Sequence, residues 1–223
     1  VSKAVGLPLA KAAARIMSGK TLAQLGIKEP ARPSHISVKE SVFPFIKFPG
    51  VDTILGPEMK STGEVMGIDR DFGTAFFKSQ LAAGQVLPSK GRVFISVRDA
   101  DKPLIIETAR RLVALGFSII ATKGTAAYFR EKGLAVEEVL KVAEGRPHIV
   151  DRMLSGDIAL VINTTQGAQS VADSYSMRRT ALVRAIPYQT TLAAARAAVA
   201  AIQATRGLSF GVRPLQEYHS AAR

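Results

Sequence analysis

The stretch FSIIATKGTAAYFREKG, residues 117–133, decides the fold that this sequence predicts. Its first residues are almost all apolar, which is typical of a parallel strand buried on both faces. A corner of small residues follows, and the rest has helical spacing up to a stop at Gly133. Residues 157–167, DIALVINTTQG, begin in the same way. Each stretch is therefore interpreted as a strand that leads through a polar corner into a helix.

The same alternation extends from Arg92 towards the end of the chain. Further strands are predicted at 92–97 and 135–140, and helices within residues 102–116, 125–133, 145–156, 170–187 and 190–207. Asp101 is the predicted N-cap of the first of these helices. Strands that alternate with helices are joined by right-handed crossovers. The predicted fold class is therefore α/β, with a Rossmann-like, doubly wound parallel sheet.

The residues before Arg92 lack this alternation. A helix is predicted within 6–19, an extended segment broken by Pro44 at 36–48, a Gly- and Pro-rich loop at 49–67, and a second helix within 69–84. A mostly helical or irregular segment of this kind is expected at the end of a larger domain. The start at Val1, without Met, is expected for a cut inside a longer polypeptide. With a junction at LPSKG (87–91), two parts are predicted, residues 1–88 and 89–223.

Composition narrows the classes of partner. The net charge of +12 and the pI near 10.2 favour anionic partners. The basic residues are scattered and not interleaved with aromatic ones, so nucleic-acid binding is not expected. The chain has no cysteine, which excludes disulfides, thiolate zinc sites and cysteine nucleophiles, and its three histidines are too far apart for a metal motif. No apolar run has the length of a membrane span, and a cytoplasmic location is expected.

The corners after the predicted strands have the composition of a phosphate site. In an open parallel sheet, ligands bind outside the carboxyl ends of the strands. Hydroxyl groups can donate hydrogen bonds to a phosphate, a glycine allows close approach of backbone amides, lysines add charge, and a carboxylate suits ribose hydroxyls. The candidate residues are Ser96, Lys102, Thr122, Gly124, Thr125, Lys141, Asn163, Thr165 and Asp173. The alternative is that these residues are ordinary N-caps and turns.

Other polar residues give weaker indications of chemistry. His148 and Asp151 have the spacing of an acid–base pair, but the same spacing is common for surface pairs on a helix. Glu40, Glu58 and Glu64 are isolated carboxylates in the first part, and a structural role is expected for them. No nucleophile elbow and no phosphate-binding Walker loop occurs in the sequence.

Four longer motifs resemble a known family. They are SKAVGLPLAKAAARIMSGKTLAQLG (2–26), SVKESVFPFIKFPGVDTILGPEMKSTGEVMG (37–67), EGRPHIVDRM (144–153) and VINTTQG (161–167). They are similar to the C-terminal end of the large subunit of carbamoyl phosphate synthetase, and the resemblance covers almost the whole chain. It implies that residues 1 to about 85 end the second ATP-grasp unit and that the rest is a methylglyoxal-synthase-like allosteric domain.

The resemblance also implies partners and sites. A nucleoside monophosphate such as UMP or IMP is expected at Ser96, Lys102, Thr122, Thr125, Lys141, Asn163, Thr165 and Asp173, and ornithine at Glu40 and Thr190. The ATP- and metal-binding carboxylates of the family lie before Val1, so this chain is expected to lack catalysis and cofactors of its own. ATP with Mg or Mn and K belongs to the complete enzyme. Further expected partners are the rest of the large subunit, the glutaminase small subunit and other copies in an oligomer.

Two other functions remain open at this stage. A free-standing methylglyoxal synthase would share the sheet and the phosphate corners, but it should carry an acidic catalytic residue in a GGD-like loop, which EGRPHIVD lacks. The second is a structural domain that mediates subunit contacts and binds nothing. For the regulatory interpretation, segment 36–66 is the candidate route between the two parts.

Overall fold

A computed structural model describes residues 1–28, 33–43, 45, 52–53, 63–165, 168–207 and 211–220 of the chain. The first part contains two helices, a two-stranded antiparallel sheet and a third helix: α1 (Ser2–Val5), α2 (Leu9–Met17), β1 (Ile36–Ser41), β2 (Glu64–Asp69) and α3 (Phe72–Ala82). Pro44 and Glu58 lie outside the described residues.

Strand β2 corrects the prediction of a loop over residues 49–67. Residues Glu64–Gly67 pair with β1, for example Gly67 opposite Val38. The glycines at both ends of GEVMG conceal this strand in the sequence, because pairing with a distant segment is not visible in local composition. Gly67 is required by close packing, since a Cβ atom there would lie 1.9 Å from the carbonyl oxygen of Ala75 on α3.

The second part is the predicted parallel sheet with helices on both faces. Its elements are β3 (Arg92–Ser96), α4 (Lys102–Ala114), β4 (Ser118–Thr122), α5 (Lys123–Glu131), β5 (Glu137–Val139), α6 (Ile149–Leu154), β6 (Ile158–Asn163), α7 (Ala168–Asp173), α8 (Tyr175–Val183), β7 (Tyr188–Gln189), α9 (Leu192–Thr205) and α10 (Leu215–Ser220). The strand order is β5-β4-β3-β6-β7, and all pairings are parallel. The predicted α/β fold class is confirmed.

The core lies on both faces of this sheet. Val93 and Ile95 of β3 pack on one face with α4, α5 and α9, while Phe94 between them packs on the other face with α6 and α8. Alternate residues of a strand point to opposite faces, so a strand buried on both sides must be apolar throughout. This requirement explains why these strands could be recognised from sequence alone.

Three local details go beyond the predictions. The helix predicted within 170–187 is two helices, separated at Ser174, and the two-residue strand β7 was not predicted. Asp101 occupies the predicted N-cap position of α4, but its carboxylate makes no capping hydrogen bond; it accepts one from Nε of Arg98 at 2.7 Å. In each case a long-range or side-chain contact decides the local structure, and such contacts are not encoded in the spacing of apolar residues.

Helix α3 joins the two parts. It packs against β1 and β2 on one side and against α9 on the other. At Gly73 the helices approach so closely that a Cβ atom would lie 2.7 Å from the carbonyl oxygen of Ala200 and 2.8 Å from Cβ of Ala204. The first part is therefore packed directly onto the second through α3.

Candidate functional site

The candidate site lies at the carboxyl ends of β3, β4 and β6. The chain runs from β3 outward through β4 to β5 and then returns to β6 on the other side of β3, which makes the gap between β3 and β6 the point where strand order reverses. Ser96 and Asn163 are opposite each other at the ends of these strands, and the amide of Thr164 donates to the carbonyl oxygen of Ser96 at 3.1 Å.

A crevice of about 850 Å³ opens at this edge. The residues predicted from sequence that line it are Ser96, Thr122, Lys141, Asn163 and Asp173. Lys102, Gly124, Thr125 and Thr165 are not among its described lining residues but adjoin it along the chain or by contact. Gln166 and Gly167 of the last corner lie outside the described residues.

Two hydroxyl groups meet at the floor of the crevice. The Oγ atom of Ser96 lies 3.1 Å from Oγ1 of Thr122, across the pairing of β3 with β4. Thr122 occupies the N-cap position of α5, yet its hydroxyl makes no capping hydrogen bond. The alternative that Thr122 is an ordinary cap is therefore not supported by its contacts. A hydroxyl pair of this kind can turn towards an anion.

Thr125 has a different role from Thr122. Its side chain is buried, and its Oγ1 accepts a hydrogen bond from the amide of Val97 at 3.4 Å. This contact holds the residue after β3 against the first turn of α5. Thr125 thus shapes the wall of the crevice, while Thr122 faces its interior.

Positive charge collects around Asp99 at one side of the crevice. The ammonium group of Lys102 lies 2.7 Å from the Asp99 carboxylate, and this hydrogen bond lowers the pKa of Asp99. The charge of Lys141 acts in the same direction. Gly124 leaves room for Lys102, because a Cβ atom at Gly124 would lie 3.3 Å from its ammonium nitrogen. Two lysines therefore act on one exposed carboxylate.

Asn163 is held by two hydrogen bonds. Its Nδ2 donates to Oγ of Ser174 at 3.0 Å and to the hydroxyl of Tyr188 at 2.6 Å. Because both amide hydrogens are used, only the side-chain carbonyl oxygen can serve a ligand. Ser174 breaks the helix between α7 and α8, so this break is tied directly to the end of β6.

Arg98, to which the sequence did not point, also lines the crevice, together with Thr164 of the corner at 163–167. The amide of Arg98 donates to Oγ1 of Thr164 at 3.2 Å. The hydrogen bond from Arg98 lowers the pKa of Asp101, and one from Thr164 adds to this effect. These hydrogen bonds hold the loop after β3 against the end of β6. The sequence RDAD at 98–101 shows that the segment is charged, but its spacing does not predict that Arg98 contacts Thr164.

An ion pair between a buried arginine and a partly exposed aspartate connects the crevice wall to the first part. Arg178 of α8 is 5% exposed, and its Nε and Nη2 atoms bond to the two carboxylate oxygens of Asp52 at 2.8 and 2.5 Å. Nη2 also donates to the carbonyl oxygen of Val171 in α7 at 2.9 Å. Asp52 belongs to segment 36–66, which the sequence analysis named as the route between the two parts.

The two residues expected at an ornithine site lie on different elements. Glu40 is half-buried on β1; burial raises its pKa, and hydrogen bonds from the side chains of Gln80 and Ser79 oppose this rise. Thr190 is exposed between β7 and α9. The helix is capped by the next residue, Thr191, whose Oγ1 accepts from the amide of Ala194 at 3.1 Å. No described contact joins Glu40 to Thr190.

His148 and Asp151 form a capping box at the start of α6. The His148 amide donates to the Asp151 carboxylate at 3.0 Å, and the Asp151 amide donates to Nδ1 of His148 at 3.3 Å. Both side chains are occupied by the helix start. Across the described ranges, no three His, Asp or Glu residues are grouped to hold a metal ion, and no helix is long and apolar enough to cross a membrane.

Residues 104–190 match the family described as MGS-like domain, and the parallel sheet flanked by helices is consistent with that fold. Over almost its whole length the chain is also similar to longer proteins. It is 55% identical over 218 residues to the carbamoyl phosphate synthase large chain of Myxococcus xanthus, covering 98% of this chain and 20% of the relative. The corresponding protein of Mesorhizobium japonicum is 53% identical over 223 residues, covering 98% and 19%.

A third relative shows similar identity. The carbamoyl phosphate synthase large chain of Archaeoglobus fulgidus is 52% identical over 220 residues, which is 98% of this chain and 20% of the relative. Over almost its whole length the chain corresponds in sequence to the C-terminal region of carbamoyl phosphate synthase large chains. It spans about a fifth of the length of these relatives. The resemblance seen in the sequence motifs is thereby confirmed.

Proposed function

We propose that this chain is the regulatory C-terminal region of a carbamoyl phosphate synthase large chain and that its crevice binds a nucleoside monophosphate. The observation that carries the proposal is the meeting of Ser96, Thr122 and Asn163 at the strand-order reversal, beside two lysines. This edge is where open α/β sheets bind their ligands. The crevice volume of about 850 Å³ is within the range of small-molecule sites.

Each part of the nucleotide has a partner in this arrangement. The hydroxyls of Ser96 and Thr122 bond to the phosphate, and Lys102 and Lys141 neutralise its charge in competition with Asp99. Asp173, at the end of α7, accepts hydrogen bonds from the ribose. The carbonyl oxygen of Asn163 accepts from the base. Thr125 and Gly124 act indirectly, by holding the wall and by leaving space for Lys102; Thr165 follows β6 and adds a hydroxyl at the rim.

The remaining parts of the proposal concern the complete large chain. Glu40 and Thr190 contribute to an ornithine site, with the carboxylate of Glu40 receiving an ammonium group. The rest of the large chain and a glutaminase small subunit are the protein partners, in a cytoplasmic oligomer. Carbamoyl phosphate synthesis with ATP, Mg or Mn and K takes place outside this region. Bound nucleotide changes that activity by preferring one arrangement of the two parts, with a coupling of about 1–3 kcal/mol.

Calorimetric titration with UMP, IMP and inorganic phosphate tests the nucleotide site. We expect binding of at least one nucleotide and about a tenfold loss of affinity in Lys141→Ala, since a hydrogen bond to a charged group contributes about 1.5–3 kcal/mol. Lys132→Ala is the matched control, because Lys132 is paired with Glu131 at the other end of α5. Equal binding by both variants, or no binding of any of the three compounds by the chain, contradicts the proposal.

The rival function as a methylglyoxal synthase is separable by its substrate. That enzyme needs a free acidic group, whereas Asp151 is engaged by the start of α6 and by His148. We expect no methylglyoxal from dihydroxyacetone phosphate. Turnover that is lost in Asp151→Asn would favour the rival.

A further inference from the structure

We propose that a second cavity, at the junction of the two parts, binds a small organic anion with an apolar body, such as an aryl or alkyl phosphate or carboxylate. This cavity has a volume of about 600 Å³. It lies between the end of β2 with α3 on one side and the end of α9 on the other, and the connector at 87–89 forms part of its wall. As far as the structure describes them, its lining residues are all different from those of the sheet-edge crevice.

The cavity has an excess of positive charge. Its charged lining residues are Arg70, Lys78, Arg206 and Arg213 against Asp69. Arg70 and Arg213 also line an adjoining recess, which contains Glu217. The cavity and the recess together therefore have four cationic side chains and two carboxylates.

The one carboxylate in the cavity itself is already engaged. Asp69 accepts a hydrogen bond from the ammonium group of Lys78 at 2.7 Å. The salt bridges found among the described residues include none to Arg70, Arg206 or Arg213. Guanidinium groups bind carboxylates and phosphates through two parallel hydrogen bonds. The charge of the cavity thus selects an anion.

The floor of the cavity is apolar and indicates the rest of the ligand. It is formed by Phe77, Leu87, Leu115, Ile202 and Tyr218. The Tyr218 ring is buried, and its hydroxyl donates to the carbonyl oxygen of Ile68 at 3.3 Å, which fixes this wall. An inorganic anion would make no contact with the apolar floor. The combination of an apolar floor with a few placed charges is typical of small-molecule sites.

An occupant of this cavity would touch both parts of the chain. Arg70 and Phe77 belong to the first part, and Arg206 follows α9 of the second. Binding would therefore favour the arrangement in which α3 and α9 are packed together. This site does not depend on the nucleotide proposal, and either can fail without the other.

Calorimetry with phenyl phosphate, inorganic phosphate and phenol tests the cavity. The titrations use the Lys141→Ala chain, so that the crevice contributes little. We expect phenyl phosphate to bind at least about tenfold more tightly than inorganic phosphate, and phenol not to bind. The double variant Arg206→Gln/Arg213→Gln on this background should lose about tenfold in affinity for phenyl phosphate. Arg110→Gln/Arg130→Gln, two exposed arginines of α4 and α5, is the matched control.

Two outcomes overturn the proposal: phenyl phosphate fails to bind the Lys141→Ala chain, or the double variant binds as well as its control. Amide NMR of the unsubstituted chain gives a readout that does not depend on how the variants fold. Shifts at Ser89, Thr205 and Tyr218 on addition of phenyl phosphate support the cavity. Shifts confined to Ser96 and Asn163 would assign the compound to the crevice and contradict the proposal.

Discussion

At the scale of single residues, Glu40 shows how burial sets the charge of a group. Burial on β1 raises its pKa, and the hydrogen bonds from Gln80 and Ser79 only partly offset this effect. The folded protein therefore holds the Glu40 proton more tightly than the unfolded chain does. A cation bound beside Glu40 would act in the opposite direction, because it would favour the ionised carboxylate.

Substitution of Glu40 by Gln tests this pKa. Below the usual value of 4.5 the carboxyl group is protonated in both states and its contribution to stability is complete. That contribution is lost as the pH rises through the raised pKa of the folded state. Since Gln imitates the neutral acid, the free energy of unfolding of Glu40→Gln relative to wild type should increase between pH 4 and pH 8. Urea titrations measure the difference.

The control for this prediction is Glu64→Gln. Glu64 is an exposed residue of the neighbouring strand and is paired with Lys39. Glu64→Gln therefore measures the effect of losing a surface charge that is not buried. A difference for Glu40→Gln that does not change with pH would contradict the assignment of a raised pKa.

The polar residues of the crevice could be found from sequence, but their individual roles could not. The position of Ser96, Thr122 and Asn163 at strand ends follows from the apolar pattern that precedes them. Which hydroxyl faces the crevice depends on the register between the strands. Thr122 and Thr125 are therefore equivalent in sequence and different in structure, where one meets Ser96 and the other holds Val97.

At the scale of elements, α8 is held from two directions. Its start is fixed by Ser174, which is bonded to Asn163, and its middle by Arg178, which is bonded to Asp52. Tyr188 of β7 adjoins both, since Asn163 donates to its hydroxyl and Arg178 lies close enough to affect it. Burial raises the pKa of Tyr188, and the hydrogen bond from Asn163 and the charge of Arg178 oppose this rise. A movement of segment 52–53 would therefore reach the crevice wall through α8.

Removal of the Asp52 carboxylate should loosen this helix. Asp52→Asn leaves the buried guanidinium of Arg178 without a countercharge, so we expect the free energy of unfolding to fall by about 2 kcal/mol. This loss is smaller than that expected for a fully buried pair, because Asp52 is itself partly exposed. Hydrogen exchange should accelerate in α8, and nucleotide affinity should fall. Removal of the surface pair in Glu64→Gln should cost less than about 0.5 kcal/mol. Unchanged exchange in α8 would contradict the linkage.

At the scale of the whole molecule, the α/β sheet was predictable and its attachment to the first part was not. The sheet is built from apolar runs buried on both faces, which are visible in sequence. The attachment is built from the close contact of Gly73 with Ala200 and Ala204. Small residues permit close packing but do not specify where it occurs. The sequence therefore predicted that α3 is a helix but not which elements it packs against.

Gly73→Ala tests the packing of α3 on α9. In an open helix this change stabilises by up to about 1 kcal/mol. Here the added methyl group would meet the Ala200 carbonyl oxygen, and we expect destabilisation by about 1–3 kcal/mol. Gly211→Ala, where nothing lies within 4 Å, should be nearly neutral. Denaturant unfolding of both variants provides the comparison, and a stabilised Gly73→Ala chain would show that the helices are farther apart than described.

The position of α3 also decides where this region can be cut for transfer to another protein. A cut at the predicted boundary of residues 88 and 89 would separate α9 from the helix that covers it and expose alanine and valine side chains to water. The smallest transferable unit must begin before Phe72, and because α3 also rests on the backbone of β2 at Gly67, it must include the two-stranded sheet. A chimera that carries the crevice into another protein should therefore include the first part and the parallel sheet together.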